Sequence, residues 1–363
     1  MDIPSAASLQ FIDKVDTLLD TSSLTTPQLV LYATESIHFL SSQPDSVRLY
    51  LGLDLSHLLH AMLDASDICG EGSTRYTACS IIACDHEHVG KRLLVSLGQT
   101  WLSHFLWVVK ANDSEVNPLL AKQVLVRDAH QCVATKWYDQ NHTPSAYIGP
   151  RAIVKTCHIV RPIVGIYKAI ATENAGNEEY LSHIVTWHII KNYSNLPETS
   201  INTLDFGMQE AQNGISLELY AYHGFANYEW CLTHIKEDEY DITIMGTLNP
   251  FILPPPSISI SFKGRQRRKS KEKCGDTQRE TCGGHRRSLS NETIVSEGSS
   301  TDESKPCRVG TSIRKRQVAR PNAHFLAFHA AICNVLHQSG ARDLLNKLLR
   351  MNSNSTDSPH VLH

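Results

Sequence analysis

The chain has 363 residues, 41% of them apolar and 20% charged, which excludes a fibrous or wholly disordered polypeptide and allows about two domains. No run approaches the roughly 18 apolar residues of a membrane span, and the opening MDIPSAASLQFIDKVD lacks the basic stretch of a signal peptide, so an intracellular protein without a membrane partner is expected. Net charge is −3 but uneven: residues 263–287 hold ten Lys or Arg against three acids, leaving −10 for everything else.

Residues 1–118 read as an N-terminal helical region. In SVRLYLGLDLSHLLHAMLDAS (46–66) the later apolar residues, Leu55, Leu58, Leu59 and Met62, fit one helix face, and HVGKRLLVSLGQTWLSHFLWVVK (88–110) repeats the pattern. The period changes between 119 and 162. LLAKQVLVRD suits a helix, QCVAT is a short β-rich piece, and after the Gly/Pro-punctuated WYDQNHTPSAYIGP comes the β-branched run AIVKTCHIV, which predicts two strands able to pair. HIVTWHIIKNYSNLP has helical spacing and stops before Pro197. Asn213-Gly214 predicts a turn leading into a helix up to His223, and NYEWCLT and YDITIM predict two further strands on either side of the turn KEDE.

Residues 263–320 are polar and Ser/Gly-rich and predict a basic, disordered insertion. HFLAFHAAICNVLHQSG and ARDLLNKLLR then predict C-terminal helices over 321–350, with Gly340 between them and a polar tail at 351–363. The ten cysteines include no C-x-x-C pair, so no Cys-based zinc knuckle is expected and the thiols are read as small hydrophobes.

His158 stands at the end of a strand otherwise suited to burial, Asn213 begins a turn, and His223 follows ten residues later. With RDAHQCVAT (127–135), CHIVRP (157–162), TWHIIKNY (186–193) and NGISLELYAYHGF (213–225), this ordered set resembles the HNH endonucleases, and more closely the fungal HNH-domain proteins. The similarity spans about residues 90–245 and extends to the helix HFLAFHAAICNVLHQSGA. It implies an α+β fold in which an HNH ββα-metal module, over 119–262, is embedded between N-terminal and C-terminal helices.

The resemblance also implies roles. Phosphodiester hydrolysis needs an activated water, a cation on the reacting oxygens and a frame that holds both. His158 would be the general base, since an imidazole with its ordinary pKa of about 6.5 accepts a proton at neutral pH. Asn213 would brace the hairpin and aim His158, and His223 would bind a divalent metal ion, Mg, Mn, Ni or Zn. Cys157 departs from the pattern: active HNH enzymes usually carry an acid or a His there, and a thiolate suits a soft metal better than magnesium. His183, His188 and Asp205 are candidate replacement ligands.

For nucleic acid, DNA being the expected partner, Arg161 is placed to meet a phosphate, and Lys263, Arg265, Arg267, Arg268 and Lys269 form a basic run that suits a DNA tether or a nuclear localisation signal. The location is therefore nucleus or cytoplasm, with the run favouring the nucleus. RRSLS (286–290) resembles a basophilic kinase site, and His86 and His88 are read as surface or packing residues. Two functions follow: a metal-dependent endonuclease acting on DNA, or a degenerate HNH fold that binds nucleic acid, or a protein through its helical flanks, without catalysis.

Overall fold

The computed structural model describes residues 6–85, 90–111, 116–162, 164, 167, 178–198, 210–245, 259–262 and 318–354. The helical N-terminal region comprises α1 (Ala6–Thr21), α2 (Thr26–Ser41), α3 (Leu55–Ser66), α4 (Glu71–Asp85) and α5 (Gly90–Trp101). α5 widens into a π turn over Leu102–Leu106 and resumes over Trp107–Ala111. The caps explain several of these boundaries: Asp54 accepts Ser56 N at 2.9 Å to start α3, and Gln28 closes a capping box with Thr25 ahead of α2. Leu49 and Tyr50 form a short ladder with Leu53 and Asp54, because Leu51 and Gly52 turn at positive φ of 51° and 81°. The helix expected from the leucine pattern therefore begins only at Leu55.

The central part begins with α6 (Pro118–Arg127), capped by Asn117 with Pro at its first turn. QCVAT, expected to be a strand, is a turn with one bridge from Gln131 to Tyr138. Lys136 N bonds Cys132 O at 2.9 Å and Lys136 takes a φ of +62°, which bends the chain too tightly for a ladder. AIVKTCHIV does supply a strand, β1 (Val154–His158), but its partner lies about sixty residues on. β2 (Gly214–Glu218) runs antiparallel to it, in a register from Val154 opposite Glu218 to His158 opposite Gly214. The stretch after Asn213 is thus strand before it is helix. The five ladder pairs outweigh helix propensity until Glu218, whose buried carboxylate accepts Tyr220 N and Ala221 N at 2.9 and 2.7 Å and starts α8 (Leu219–Ala226). The helix between the two strands in sequence, α7, spans Glu178–Ser194 and ends before Pro197 as expected.

β3 (Trp230–Lys236) and β4 (Glu239–Ile244) form the expected hairpin across the acidic turn, and β5 (Ile260–Ser261) adds a third strand beside β4. α9 (Ala323–Gln338) and α10 (Ala341–Asn354) follow, separated by Gly340 at φ +74°. Residues 6–262 and 318–354 share one compact unit and one main core. The Phe105 ring lies 5.0 Å from Tyr193 and 6.0 Å from Phe328, so an N-terminal helix, α7 and α9 meet in one aromatic cluster. Contacts of this kind add about 0.5–1.5 kcal/mol each beyond area burial. The described N-terminal, central and C-terminal parts therefore share one core. No helix among the described residues is long and apolar enough to cross a membrane. Lys263, Arg265, Arg267, Arg268, Lys269, Asp205, His86, His88 and RRSLS lie outside the described residues.

Candidate functional site

β1, β2 and α8 make a ββα unit with His158 at the last pair of the ladder. The chain beyond His158 is held by Asn213. Ile159 N donates to Asn213 O at 3.0 Å, Val160 N donates to Asn213 Oδ1 at 2.8 Å, and Asn213 Nδ2 donates to Val160 O at 2.8 Å. Asn213 is fully buried, so its amide replaces water for two backbone groups that would otherwise be orphaned. Asn213, read from the sequence as a brace, thus engages Val160 through both ends of its amide.

A second brace sits behind it. Arg127 pairs with Asp128 at 2.7 Å and donates to Ala211 O at 2.6 Å and Gly214 O at 2.7 Å, while Asp128 accepts Ser216 N at 3.0 Å. Arg127 and Asp128 thereby clamp both sides of Asn213. Gly214 is required here because a Cβ would stand 2.8 Å from Val124 Cγ2.

A cleft of about 20 Å³, room for about one water, lies at the end of this ladder. Its lining includes Cys157, His158, Arg161, Tyr222, Tyr228 and His329. His223 is exposed and is not among the lining residues. The cause is the phase of α8. Trp230 Nε1 donates to Ala221 O at 3.0 Å, a Cβ on Gly224 would meet Trp230 Cδ1 at 2.9 Å, and Phe225 stacks on His329 at 3.7 Å. With 221, 224 and 225 turned inward, positions 220, 223 and 227 face solvent, and α8 presents Tyr222 to the cleft where His223 was expected.

Arg161 lines the cleft but also serves the fold: it donates to Lys110 O and Ala226 O, both at 2.7 Å, and lies 5.7 Å from the Tyr228 ring centre. Lys110, only 3% exposed, lies 5.9 Å from the same ring and reaches Asn227 Oδ1 at 3.3 Å. Burial pushes the Lys110 amine down to about 8, with Arg161 and Arg342 adding to the effect. Burial also takes His329 down to about 3, against the hydrogen bond to Phe225 O and with a further contribution from Arg161. Buried Tyr228, whose hydroxyl donates to Val109 O at 3.1 Å, is raised to about 12.

Beside His158, the donors at the cleft are engaged within the fold. The Cys157 thiol donates to His158 O at 3.4 Å, the His329 ring nitrogens engage Phe225 O at 3.1 Å and Cys333 Sγ at 3.7 Å, and the Asn213 amide is committed to Val160. Among the described residues no group of three or more His, Cys, Asp or Glu is arranged to hold a metal ion. Of the candidate replacement ligands, His188 bonds Asp16 at 3.0 Å and approaches Tyr76, and His183 packs its ring 5.0 Å from Tyr167. Tyr222, Tyr228, His329 and Lys110 were not anticipated. The polar spacing of Tyr220, His223 and Asn227 was the available signal for Tyr222, whereas Tyr228 and His329 reach the cleft only through tertiary packing, with Lys110 beside the Tyr228 ring. No family model, curated protein or solved structure matches the chain.

Proposed function

We propose that the chain is an HNH-like ββα module that binds nucleic acid without assembling the family's metal centre. The observation that carries this reading is the phase of α8, which turns Tyr222 rather than His223 to the cleft beside His158. Affinity for the polyanion comes mainly from the Lys/Arg-rich residues 263–287, since the remainder of the chain carries −10. Full-length protein is expected to bind duplex DNA in EDTA, with affinity that falls steeply as salt rises and is lost on deletion of 263–287. Undiminished affinity in the deletion variant would refute the reading.

One observation favours a second reading, metal-dependent cleavage of DNA. Asn213 and the Arg127–Asp128 clamp keep the frame that would aim a general base at His158. Supercoiled plasmid incubated with Mg²⁺, Mn²⁺, Ni²⁺ or Zn²⁺ decides between them. Nicking by the wild type that disappears in His158→Ala supports cleavage, and equal nicking by both proteins marks a contaminant.

A further inference from the structure

We infer that the cleft beside His158 is an anion subsite that takes one non-bridging oxygen of a nucleic-acid phosphodiester, at the place where the related fold would hold a metal ion. The inference rests on the binding-module reading and names the ligand of its cleft. Size comes first: about 20 Å³ admits one water-sized group, hence a single oxygen and not a nucleotide. Arg161, Tyr222 and Ala226 are only half-buried, so the cleft reaches the surface and the rest of a phosphodiester can remain outside.

Charge comes second. No carboxylate is among the described residues that line the cleft, which carries a guanidinium, an imidazole and a phenol from Arg161, His158 and Tyr222. Lys110 and Arg161 flank Tyr228 at 5.9 and 5.7 Å, placing two cationic side chains around one wall. Lys110 and His329, on different helices, are both held below their ordinary pKa, by burial first and with Arg161 adding to it. A divalent cation would enter against that field, and an anion enters with it. A guanidinium and a phenol are also the donors that recognise phosphate oxygens.

The test uses full-length protein with ¹³C-labelled histidine rings, in EDTA, titrated with inorganic phosphate and with the diester thymidylyl-thymidine. His158 and His329 signals, assigned by single substitution, are expected to shift and saturate with both ligands and to do so equally after deletion of 263–287. Arg161→Gln should weaken the diester response about tenfold to a hundredfold. Because Arg161 also holds backbone carbonyls, Tyr222→Phe serves as the second variant and should weaken it in a protein of unchanged fold.

Shifts with phosphate but none with the diester would overturn the assignment to nucleic acid. Shifts that require added Mn²⁺ or Zn²⁺, or that survive unchanged in folded Arg161→Gln and Tyr222→Phe, would overturn the anion subsite itself. Absent cleft shifts alongside DNA binding that still depends on 263–287 would sink this inference and leave the binding-module reading standing. DNA binding indifferent to that deletion would sink the broader reading instead.

Discussion

Asn213 joins Val160 through both ends of its amide, and the pairing explains how a buried loop end at a strand tip stays ordered. Removing the side chain leaves the N–H and C=O of Val160 in a buried place with no substitute. Asn213→Ala should therefore lower stability by about 2–4 kcal/mol, read from urea unfolding midpoints. Asn213→Asp keeps the acceptor but turns a carboxylate oxygen toward Val160 O, so it should cost at least as much at neutral pH as the alanine variant. Lys110 offers a test with a pH signature. Its amine is held at about 8 in the folded chain against an ordinary value near 10.5, so the unfolded state binds more protons between those values and stability from this group rises as pH climbs from about 8 to 10.5. Below pH 8 the buried ammonium costs up to about 3 kcal/mol relative to a neutral group. Lys110→Met should remove this contribution, appearing as a flatter stability curve between pH 7 and 10 than that of the wild type.

The main lesson of α8 is one of phase. An octapeptide helix pinned by the Glu218 cap, Gly224 and Phe225 has no freedom to rotate the roughly 100° that separates neighbouring residues. Gly224→Ala would drive a methyl into the Trp230 indole and should cost about 1–3 kcal/mol in thermal or urea unfolding. His223→Ala, by contrast, should change stability by no more than about 0.5 kcal/mol and leave metal content unaltered by elemental analysis. These outcomes separate the residue that sets the helix from the one that the motif singled out. The β-branched run to His158 made β1 legible in the sequence, whereas its partner β2 lies in the stretch after the Asn-Gly pair that was read as helix. The motif alone could not fix whether Tyr222 or His223 turned inward, because that depends on Trp230 across the following turn. QCVAT failed for a related reason: its β propensity is overridden by a turn whose Cys132 N bonds Trp137 O at 2.9 Å and whose Val133 N bonds Ser216 O at 2.8 Å.

Across the whole molecule, N-terminal and C-terminal helices were each readable from periodicity, and C-terminal helices packing on the core were expected, while which faces meet was not readable, since apolar faces do not announce their partners. α9 supplies Phe325 and Phe328, both almost wholly buried, and packs against α3 and β3. A chain ended after residue 262 should therefore lose cooperative unfolding and its near-ultraviolet circular dichroism, although it keeps the entire ββα unit. Excising 264–317 and bridging the gap with a short Gly/Ser linker should have the opposite result, a melting temperature within a few degrees of the parent. The attachments of the C-terminal part lie outside the excision: Asn322 N bonds Gln212 O at 2.9 Å, and Arg127 reaches Ala319 O at 3.3 Å.

Phe262 N reaches Asp238 O at 3.2 Å, and the Arg320 guanidinium pairs with the carboxylate of the same residue. Departure and return thus share a single clasp, and lengthening the sequence between them costs little where it forms a flexible loop, because closure entropy grows only with the logarithm of loop length. A fluorescent reporter whose own termini lie close together can be grafted between those two positions and carried as a pendant, leaving the β3–β4 hairpin and the brace around Asn213 as they are.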